Sequence, residues 1–479
     1  MTAVGVTPPV AETAAGSGRT DRRRLVGLDG IRGVAAFVVV LHHCYLSAFP
    51  GYPKITGPWW SAWLIYGHFS VVVFIVLSGF SLAVSPARSG WKLGGKKKFA
   101  RRRAWRILPP YWAALVFSLA IAWLVIPQPG EAVPTGKSVV VNGLLLQDIF
   151  GAPTPNGAFW SIAVEAQLYV VFPLMLLLLR RGSTAVMLSV VATPVALISI
   201  LAPTKPIVHD LLRLTPQFAV LFAMGAAGAG VLAASDRLKR LPWQWLAAAA
   251  AVPMLALIVL RGSVWTINNF YWVDIGLGVS VAMLFSGLAM GHPKWLVHVL
   301  DTGPIRSLGS FSYSLYLIHA PIVIVIYAKI VAPRVTPGVP AFLVTMALAA
   351  PLSVLAARVF AAVFELPFQR HRSWTAYKAA AIANFAGVRG FFRHRQPEPV
   401  LEQQEPEARG AQHETIVMPA AKLAGDWRSP PRAAPVGGFT SAASTAPASV
   451  WATRDLDMTI ELSAPVEDLR QRPGWPSEA

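Results

Sequence analysis

Apolar runs long enough to cross a membrane recur along this chain and restrict its fold more than any other feature. A membrane span needs roughly 20 mostly apolar residues. Ten stretches meet that requirement, near 28–48, 62–84, 106–126, 159–179, 184–202, 216–234, 243–260, 271–290, 310–331 and 341–364. The chain is 54% hydrophobic and only 14% charged, a balance typical of membrane proteins. The sequence therefore predicts an all-α polytopic integral membrane bundle of about ten transmembrane helices.

Basic residues are distributed unevenly between the two sides of this predicted bundle. With the N-terminus inside, the inner loops hold a dense block from Arg88 to Arg106, whereas the outer loops hold isolated bases such as Lys54 and Lys137. The positive-inside rule then predicts a multi-pass protein of the plasma membrane with both termini in the cytoplasm. The net charge of +19 is explained by this topology and by contact with membrane lipid, and no nucleic-acid partner is expected.

Composition divides the chain into three parts. Residues 1–24 form a disordered basic segment without a signal peptide, so the first apolar run should stay in the membrane as an anchor. Residues 25–370 form the transmembrane domain. Residues 371–479 form a cytoplasmic tail, largely disordered from about residue 390, where polar residues dominate and more than half of the chain's acids lie. The sequence does not identify a protein partner for this tail.

Three shorter features need separate interpretation. The stretch "VVVNGLLLQDIF" (139–150) is too short to span the bilayer and is predicted to be an outer-side or re-entrant segment. The chain has one cysteine, Cys44, which excludes an intrachain disulfide and a cysteine-built zinc site, and no metal is predicted. Trp59, Trp60, Trp63 and Trp160 lie near outer ends of spans and are predicted to form an aromatic belt.

Few ionisable residues remain inside the predicted spans, and each is costly to bury without a purpose. Among them are Asp29, Arg32, His42, His43, Glu165, Asp274 and His319. Asp29 and Arg32 are three residues apart and can pair at the inner interface. Asp274 lies close to the outer end of its span, and we expect its side chain to reach water.

Helix geometry relates three of these residues. Arg32 and His43 are eleven residues apart, close to three full turns, so they share a face and are separated by roughly 16 Å along the axis. Glu165 lies about one turn inside the outer end of its span, which predicts that it reaches the depth of His43. A histidine and a carboxylate together are typical of a general base. The alternative is a buried pair that only specifies helix packing.

A second cluster opens the third span. The stretch "KKKFARRRAWRILPPYW" (96–112) is more basic than topology requires, and Arg103 and Arg106 are spaced to point at one anion. Lipid phosphate is the alternative ligand, above all for the outermost lysines.

Further polar residues are candidates for the path of an acceptor. These are Ser78, Tyr169, Tyr313, Tyr316 and His319. Ser78 belongs to a Ser-Gly-Phe stretch in which Gly79 can equally serve close helix packing. The two tyrosines and the histidine of the ninth span share one face and can equally bridge helices.

Five segments in this order resemble the acyltransferase family 3 of integral membrane O-acyltransferases, over about residues 25–370. They are "LDGIRGVAAFVVVLHH" (28–43), "VVVFIVLSGFSL" (71–82), "FARRRAWRILPPYW" (99–112), "FWSIAVEAQLYVVFPL" (159–174) and "LGSFSYSLYLIHAPI" (308–322). The chain departs from the family pattern at Val72 and Ala166, where many members carry acids.

The resemblance implies transfer of an acyl group, often acetyl, from cytoplasmic acyl-CoA to a hydroxyl of a carbohydrate, glycolipid or glycoside on the far side. It selects His43 over His42 and places His43 and Glu165 in catalysis. His43 would take the proton of the acceptor hydroxyl or would itself be acylated for a moment. Arg32, Arg103 and Arg106 would hold the phosphates of acyl-CoA, which is a substrate and not a permanently bound cofactor.

Two other classes of function fit parts of the sequence. A proton-coupled transporter or flippase could use Glu165 and His319 as a relay, but this leaves the arginines of the third span unexplained. A scaffold acting through its tail leaves the ionisable residues of the spans unexplained.

Overall fold

The computed structural model describes Leu25, residues 27–371 and Thr375. Within those residues the regular elements are helices, and nine of them are long and apolar enough to cross a membrane, or ten with one bent pair counted as a single span. They are α1 (Leu28–Ala48), α2 (Phe69–Ala87), α3 (Lys96–Leu124), α4 (Phe159–Arg181), α5 (Thr184–Leu201), α6 (the bent pair Pro206–Leu214 and Gln217–Ala233), α7 (Trp243–Asn268), α8 (Phe270–Ala289), α9 (Ser312–Val331) and α10 (Val339–Arg370). The predicted all-α bundle is confirmed.

Shorter helices connect the long ones. They are Ala62–Tyr66, Gly136–Gly143, Gln147–Phe150, Asp236–Lys239, Lys294–Leu300 and Gly303–Ser310. The segments predicted to be disordered, residues 1–24 and the tail from about 390, lie outside the described residues. We call the side at which α1 begins the basic side, after the arginines and lysines of 96–106, and the opposite side the far side.

A pair of glycines sets the register between α1 and the short helix Gly303–Ser310, which leads into α9. A Cβ built on Gly33 of α1 would lie 2.6 Å from the backbone nitrogen of Gly309, and one built on Gly309 would lie 1.9 Å from the carbonyl oxygen of Asp29. The two backbones can therefore touch only because both residues lack a side chain. Both helices run towards the far side, so residues ten positions further along, His43 and His319, reach the same level.

A second pair of glycines joins α2 to α6 in the centre of the bundle. A Cβ on Gly79 would lie 2.0 Å from the carbonyl oxygen of Phe222, and one on Gly225 would lie 2.0 Å from that of Val76. Close packing through Gly79, one of the two alternatives for the Ser-Gly-Phe stretch, is therefore present. Small residues at such crossings are typical of membrane helices, which associate through close packing.

The segment between α3 and α4 re-enters the bundle. The indole nitrogen of Trp123, near the far end of α3, donates to the carbonyl oxygen of Pro134 at 2.8 Å, and that of Trp112 donates to Gly143 at 2.9 Å. Those two tryptophans are eleven residues apart, so the segment descends roughly 16 Å alongside α3. Of the two alternatives for this region, the structure has the re-entrant one.

Because the segment before it re-enters the bundle, α4 begins inside the bundle. The side chain of the buried Asn156, just before α4, donates to the carbonyl oxygen of Leu317 at 2.8 Å and to Oγ of Ser118 at 3.2 Å. Its Oδ1 accepts from the backbone nitrogen of Ala158 at 2.9 Å, which satisfies one of the free donors at this helix start. Because Leu317 lies two residues before His319, α4 starts near the level of that histidine.

Candidate active site

Two histidines from different helices meet in the far half of the bundle. The ring centroids of His43 on α1 and His319 on α9 are 5.0 Å apart, with an angle of 55° between the ring planes. His319 is completely buried, and His43 is partly accessible. The glycine contact between α1 and the short helix just before α9 explains why these two rings lie at the same level.

The hydrogen bonds of His319 show which nitrogen of the neutral ring carries the hydrogen. Its Nδ1 lies 2.8 Å from the carbonyl oxygen of Tyr316 and 3.2 Å from that of Leu315. A carbonyl oxygen only accepts, so Nδ1 carries the hydrogen and Nε2 holds a lone pair. Nε2 is buried and has no hydrogen-bond partner among the described residues. A buried acceptor without a partner is costly, and this nitrogen remains able to accept a hydrogen bond from a ligand.

The neighbouring His42 is used differently. Its Nδ1 donates to the carbonyl oxygen of Leu64 at 2.6 Å, which ties α1 to the short helix Ala62–Tyr66. The structure therefore separates the two adjacent histidines, with His43 facing His319 and His42 anchoring the connection into α2.

Glu165 lies in a polar cluster in the basic half of the bundle. Its Oε1 accepts a hydrogen bond from Ser78 at 2.6 Å and another from Tyr169 at 2.5 Å. The hydroxyl oxygens of Ser78 and Tyr169 are 3.3 Å apart. Two residues predicted for the acceptor path are thus partners of Glu165.

The predicted contact between Glu165 and His43 is absent, since no hydrogen bond or ion pair joins them in the part of the chain that the structure describes. Nη2 of Arg32 donates to Ser81 at 2.8 Å, one helical turn from Ser78, and the charges of Arg32 and Glu165 interact. The carboxylate therefore lies near the level of Arg32, three turns of α1 below His43. The prediction assumed that α4 starts at the membrane surface, whereas it starts inside the bundle.

The three arginines predicted to bind phosphate gather around this carboxylate. Arg32 pairs with Asp29 at 3.0 Å, as the sequence predicts. The guanidinium carbon of Arg103 lies 5.8 Å from the ring centroid of Tyr169, and its buried Nε has no hydrogen-bond partner within the described residues. The charge of Arg106 acts on both other arginines. The cluster can therefore bind an anion, because guanidinium groups bind phosphate oxygens with paired, charge-assisted hydrogen bonds.

A buried acid that the sequence analysis missed completes the arginine cluster. Glu365, 3% exposed, accepts from the backbone nitrogen and Oγ of Ser314 and from Gln369, and the charge of Arg106 acts on it. It lies one residue beyond the predicted tenth span, 341–364, where an acid is expected to face water. An acid immediately after an apolar run is too weak a signal to have found it.

Tyr313 and Tyr316 both make bonds between helices. The hydroxyl of Tyr313 donates to the carbonyl oxygen of Ile107 at 3.2 Å, and that of Tyr316 lies 2.7 Å from Oγ of Ser161. Tyr316 also lies beside His319, with ring centroids 5.8 Å apart. The bridging alternative is therefore present for both tyrosines.

Two predictions for the far half are wrong. Asp274 does not reach water: it is fully buried, and Nε2 of His68 donates to its two carboxylate oxygens at 3.0 and 3.1 Å. Trp160 is not part of an exterior belt, because its ring stacks on His68 and Phe218, with centroids 6.1 and 5.5 Å apart. The first error follows from treating α8 alone, since its partner is contributed by the residue before α2. Trp59, Trp60 and Trp63 are exposed, as expected.

Comparison with known proteins identifies the family of this chain. The family model of the acyltransferase domain (Acyl_transf_3) matches residues 25–358. The YrhL protein of Bacillus subtilis (strain 168) is 26% identical over 329 residues, which cover 63% of this chain and 49% of that protein.

Two further relatives carry functional names. The peptidoglycan O-acetyltransferase OatA of Listeria monocytogenes is 25% identical over 328 residues, covering 64% of this chain and 50% of that protein. The O-acetyltransferase OatA of Staphylococcus aureus (strain NCTC 8325) is 25% identical over 343 residues, covering 63% and 51%. This chain therefore spans about half the length of these relatives. No solved structure matches it significantly. Because the family model covers most of the chain, including α1 to α9, the chain belongs to the acyltransferase family 3.

Proposed function

We propose that the chain is a membrane O-acyltransferase that moves an acyl group, by preference acetyl, from acyl-CoA on the basic side to a hydroxyl on the far side. The observation that carries this proposal is the placement of three arginines around Glu165 and Tyr169 at one end of α1 and of the His43–His319 pair three turns further on. The family supports the class of reaction.

The arginine cluster is the proposed donor site. Arg32, Arg103 and Arg106 bind the phosphates of acyl-CoA, and the negative charges of Glu165 and Glu365 offset the mutual repulsion of the guanidinium groups. The arm of the coenzyme then runs along α1 past Ser78 and Tyr169 towards His43, over roughly the 16 Å that separate Arg32 from His43. Glu165 is thus a positioning residue of the donor site.

His43 is the proposed reactive group. It either takes the proton of the attacking hydroxyl or accepts the acyl group from the thioester and passes it on. His319, fixed by its bond to the carbonyl oxygen of Tyr316, presents a lone pair on Nε2 beside it and can hold a proton there. Tyr316 and Tyr313 keep α9 in register with α4 and α3.

The acceptor is proposed to be a hydroxyl of a cell-envelope carbohydrate, glycolipid or glycoside. The names of the Listeria and Staphylococcus relatives indicate O-acetylation, in one case of peptidoglycan. The proposed location is the plasma membrane, with both termini in the cytoplasm, where acyl-CoA is present.

The decisive experiment uses the purified chain in nanodiscs with radiolabelled acetyl-CoA and peptidoglycan fragments as acceptor. We expect sustained CoA release, over many turnovers, that depends on the acceptor, and labelled ester in the product. His43→Ala should abolish transfer, with the protein still monodisperse in size-exclusion chromatography. A folded His43→Ala protein that retains substantial transfer contradicts the role of His43. Absence of CoA release with every acceptor contradicts the enzyme and favours a transporter.

A further inference from the structure

A second imidazole in the far half of the bundle is equipped for proton transfer and has no part in the scheme above. His68, the residue before α2, donates from Nε2 to both carboxylate oxygens of Asp274 on α8. Asp274 is fully buried, while 19% of the His68 side chain remains exposed. This chain therefore holds a carboxylate–imidazole pair of the kind that the sequence suggested for His43, but at another histidine.

The pair leaves one nitrogen of His68 available. Because Nε2 carries the hydrogen that bonds Asp274, Nδ1 holds the lone pair of the neutral ring. No hydrogen bond to Nδ1 occurs among the residues that the structure describes. The ring plane is fixed by stacking on Phe270, with centroids 4.1 Å apart and planes 13° apart, and on Trp160 at 6.1 Å and 9°. Both faces of the ring are therefore covered, and a ligand can reach only the ring edge that carries Nδ1.

His68 lies next to His42, the neighbour of His43 on α1. A Cβ on Gly67 would lie 2.3 Å from Cβ of His42, so the backbone before His68 packs directly on α1. The ring of His42 is 5.3 Å from that of His43. His42 cannot pass a proton between them, because its Nδ1 hydrogen is committed to the carbonyl oxygen of Leu64. A base at His68 must therefore receive its proton directly from a substrate.

We propose that His68, held by Asp274, is the general base for the acceptor hydroxyl, and that His43 carries the acyl group. This assignment rests on the proposed acyl transfer and selects the two-step route. The chemical class of its ligand is a neutral alcohol, as in a carbohydrate, because a hydroxyl can donate to Nδ1 in the apolar surroundings of Phe270, Trp160 and Phe218.

In the first half of the reaction, an imidazole nitrogen of His43 attacks the thioester, the carbon–nitrogen bond forms, and the CoA thiolate leaves and takes a proton on the basic side. In the second half, the acceptor oxygen bonds to the acyl carbon while the bond from that carbon to His43 breaks and returns its electron pair to the imidazole. The hydroxyl proton moves to Nδ1 of His68, and Asp274 stabilises the imidazolium until it releases the proton to water on the far side.

The environment of the pair contains two other titratable groups. His42 faces it from α1, and the charge of Asp274 acts on Tyr52 in the connection before α2. From α4 and α6 the pair meets the rings of Trp160 and Phe218. His42 and Tyr52 can also affect how the rate of the acceptor step depends on pH. The variants therefore change only His68 or Asp274 and leave His42 and Tyr52 in place.

The test uses the full chain in nanodiscs, acetyl-CoA, and peptidoglycan fragments as the acceptor probe. In His68→Gln the side-chain amide still donates to Asp274 but has no basic nitrogen, and Asp274→Asn removes the carboxylate. Without acceptor, we expect both variants to release CoA in a first-turnover burst. The amplitude of this burst should lie within twofold of that of the unaltered protein. With acceptor, we expect kcat to fall about 10²- to 10⁴-fold, with an unchanged KM for acetyl-CoA and residual rates that rise with pH.

Asp210→Asn, an exposed carboxylate at the far side, is the matched control and should leave both phases unchanged. The assignment is overturned if both folded variants keep kcat within threefold, if burst and transfer are lost together, or if the unaltered protein releases CoA only with acceptor present. An unaltered protein that releases no CoA under any condition overturns the proposed function itself, and the assignment with it.

Discussion

The residues of the donor site differ in what their loss should cost. Arg106 acts on Arg32, Arg103 and Glu365 and so lies at the centre of the positive charge. We expect Arg106→Ala to raise the KM for acetyl-CoA at least about tenfold, as loss of one charge-assisted contact implies, with little change in kcat. Arg101→Ala, an exposed arginine of the same basic block, is the control for overall charge. Equal KM values for the two variants would argue against phosphate binding at Arg106.

Glu165 allows a sharper distinction, because its predicted and observed surroundings differ. Glu165→Gln keeps an acceptor for Ser78 and Tyr169 but removes the charge that orients the arginines. We expect a severalfold rise in the KM for acetyl-CoA and a kcat within threefold, measured by steady-state CoA release. A 100-fold loss of kcat at saturating acetyl-CoA would mean that Glu165 supports His43 after all.

The contacts between site residues that could be predicted are those that follow from the spacing of two residues within a single helix. The pairing of Asp29 with Arg32 follows from i,i+3 spacing, and the convergence of Arg103 and Arg106 follows in the same way. The pair of His68 with Asp274 joins residues 206 positions apart, so no local pattern contains it. His68 lies inside the predicted second span, 62–84, and its position there is the one signal that could have found it.

At the scale of helices, the contact between α2 and α6 sets the position of Ser78 and hence of Glu165. Gly79→Ala should push these helices apart, because the new Cβ would meet the carbonyl group of Phe222, and overpacking of this kind typically costs about 1–3 kcal/mol. We expect a lower midpoint temperature of unfolding, measured in detergent by heating samples and following the loss of the monodisperse peak in size-exclusion chromatography. Gly303→Ala, where a Cβ meets nothing within 4 Å, is the matched control, and an equal midpoint for both variants would contradict the packing argument.

Helix boundaries show where hydropathy is a sufficient guide. The predicted span 28–48 coincides with α1, because its apolar residues end where the helix ends. The predicted span 106–126 begins ten residues too late, because α3 continues as an exposed basic helix from Lys96, outside the apolar region. The start of α4 was located correctly in sequence but not in depth. Its depth depends on the re-entrant segment before it, and apolar length carries no information about that.

At the scale of the whole molecule, the single cysteine offers a direct test of orientation. Cys44 is fully buried, so it should not react with a membrane-impermeant maleimide. We expect a cysteine replacing the exposed Lys54 to be labelled on intact spheroplasts, and one replacing the exposed Lys97 to be labelled only after the membrane is opened. The reverse pattern would place the arginine cluster on the side without acyl-CoA and would contradict the proposed donor site.

The descent of the segment 134–143 along α3 has an electrical consequence. A polar connection that enters the bundle shortens the apolar layer beneath it, so the potential across the membrane falls over a shorter distance there than elsewhere. A unit charge that crosses the full potential exchanges about 2.3 kcal/mol per 100 mV. A proton released on the far side and another taken up on the basic side would together amount to one charge displaced through that layer. Catalysis by this protein would then respond to membrane voltage, although no ion is its substrate.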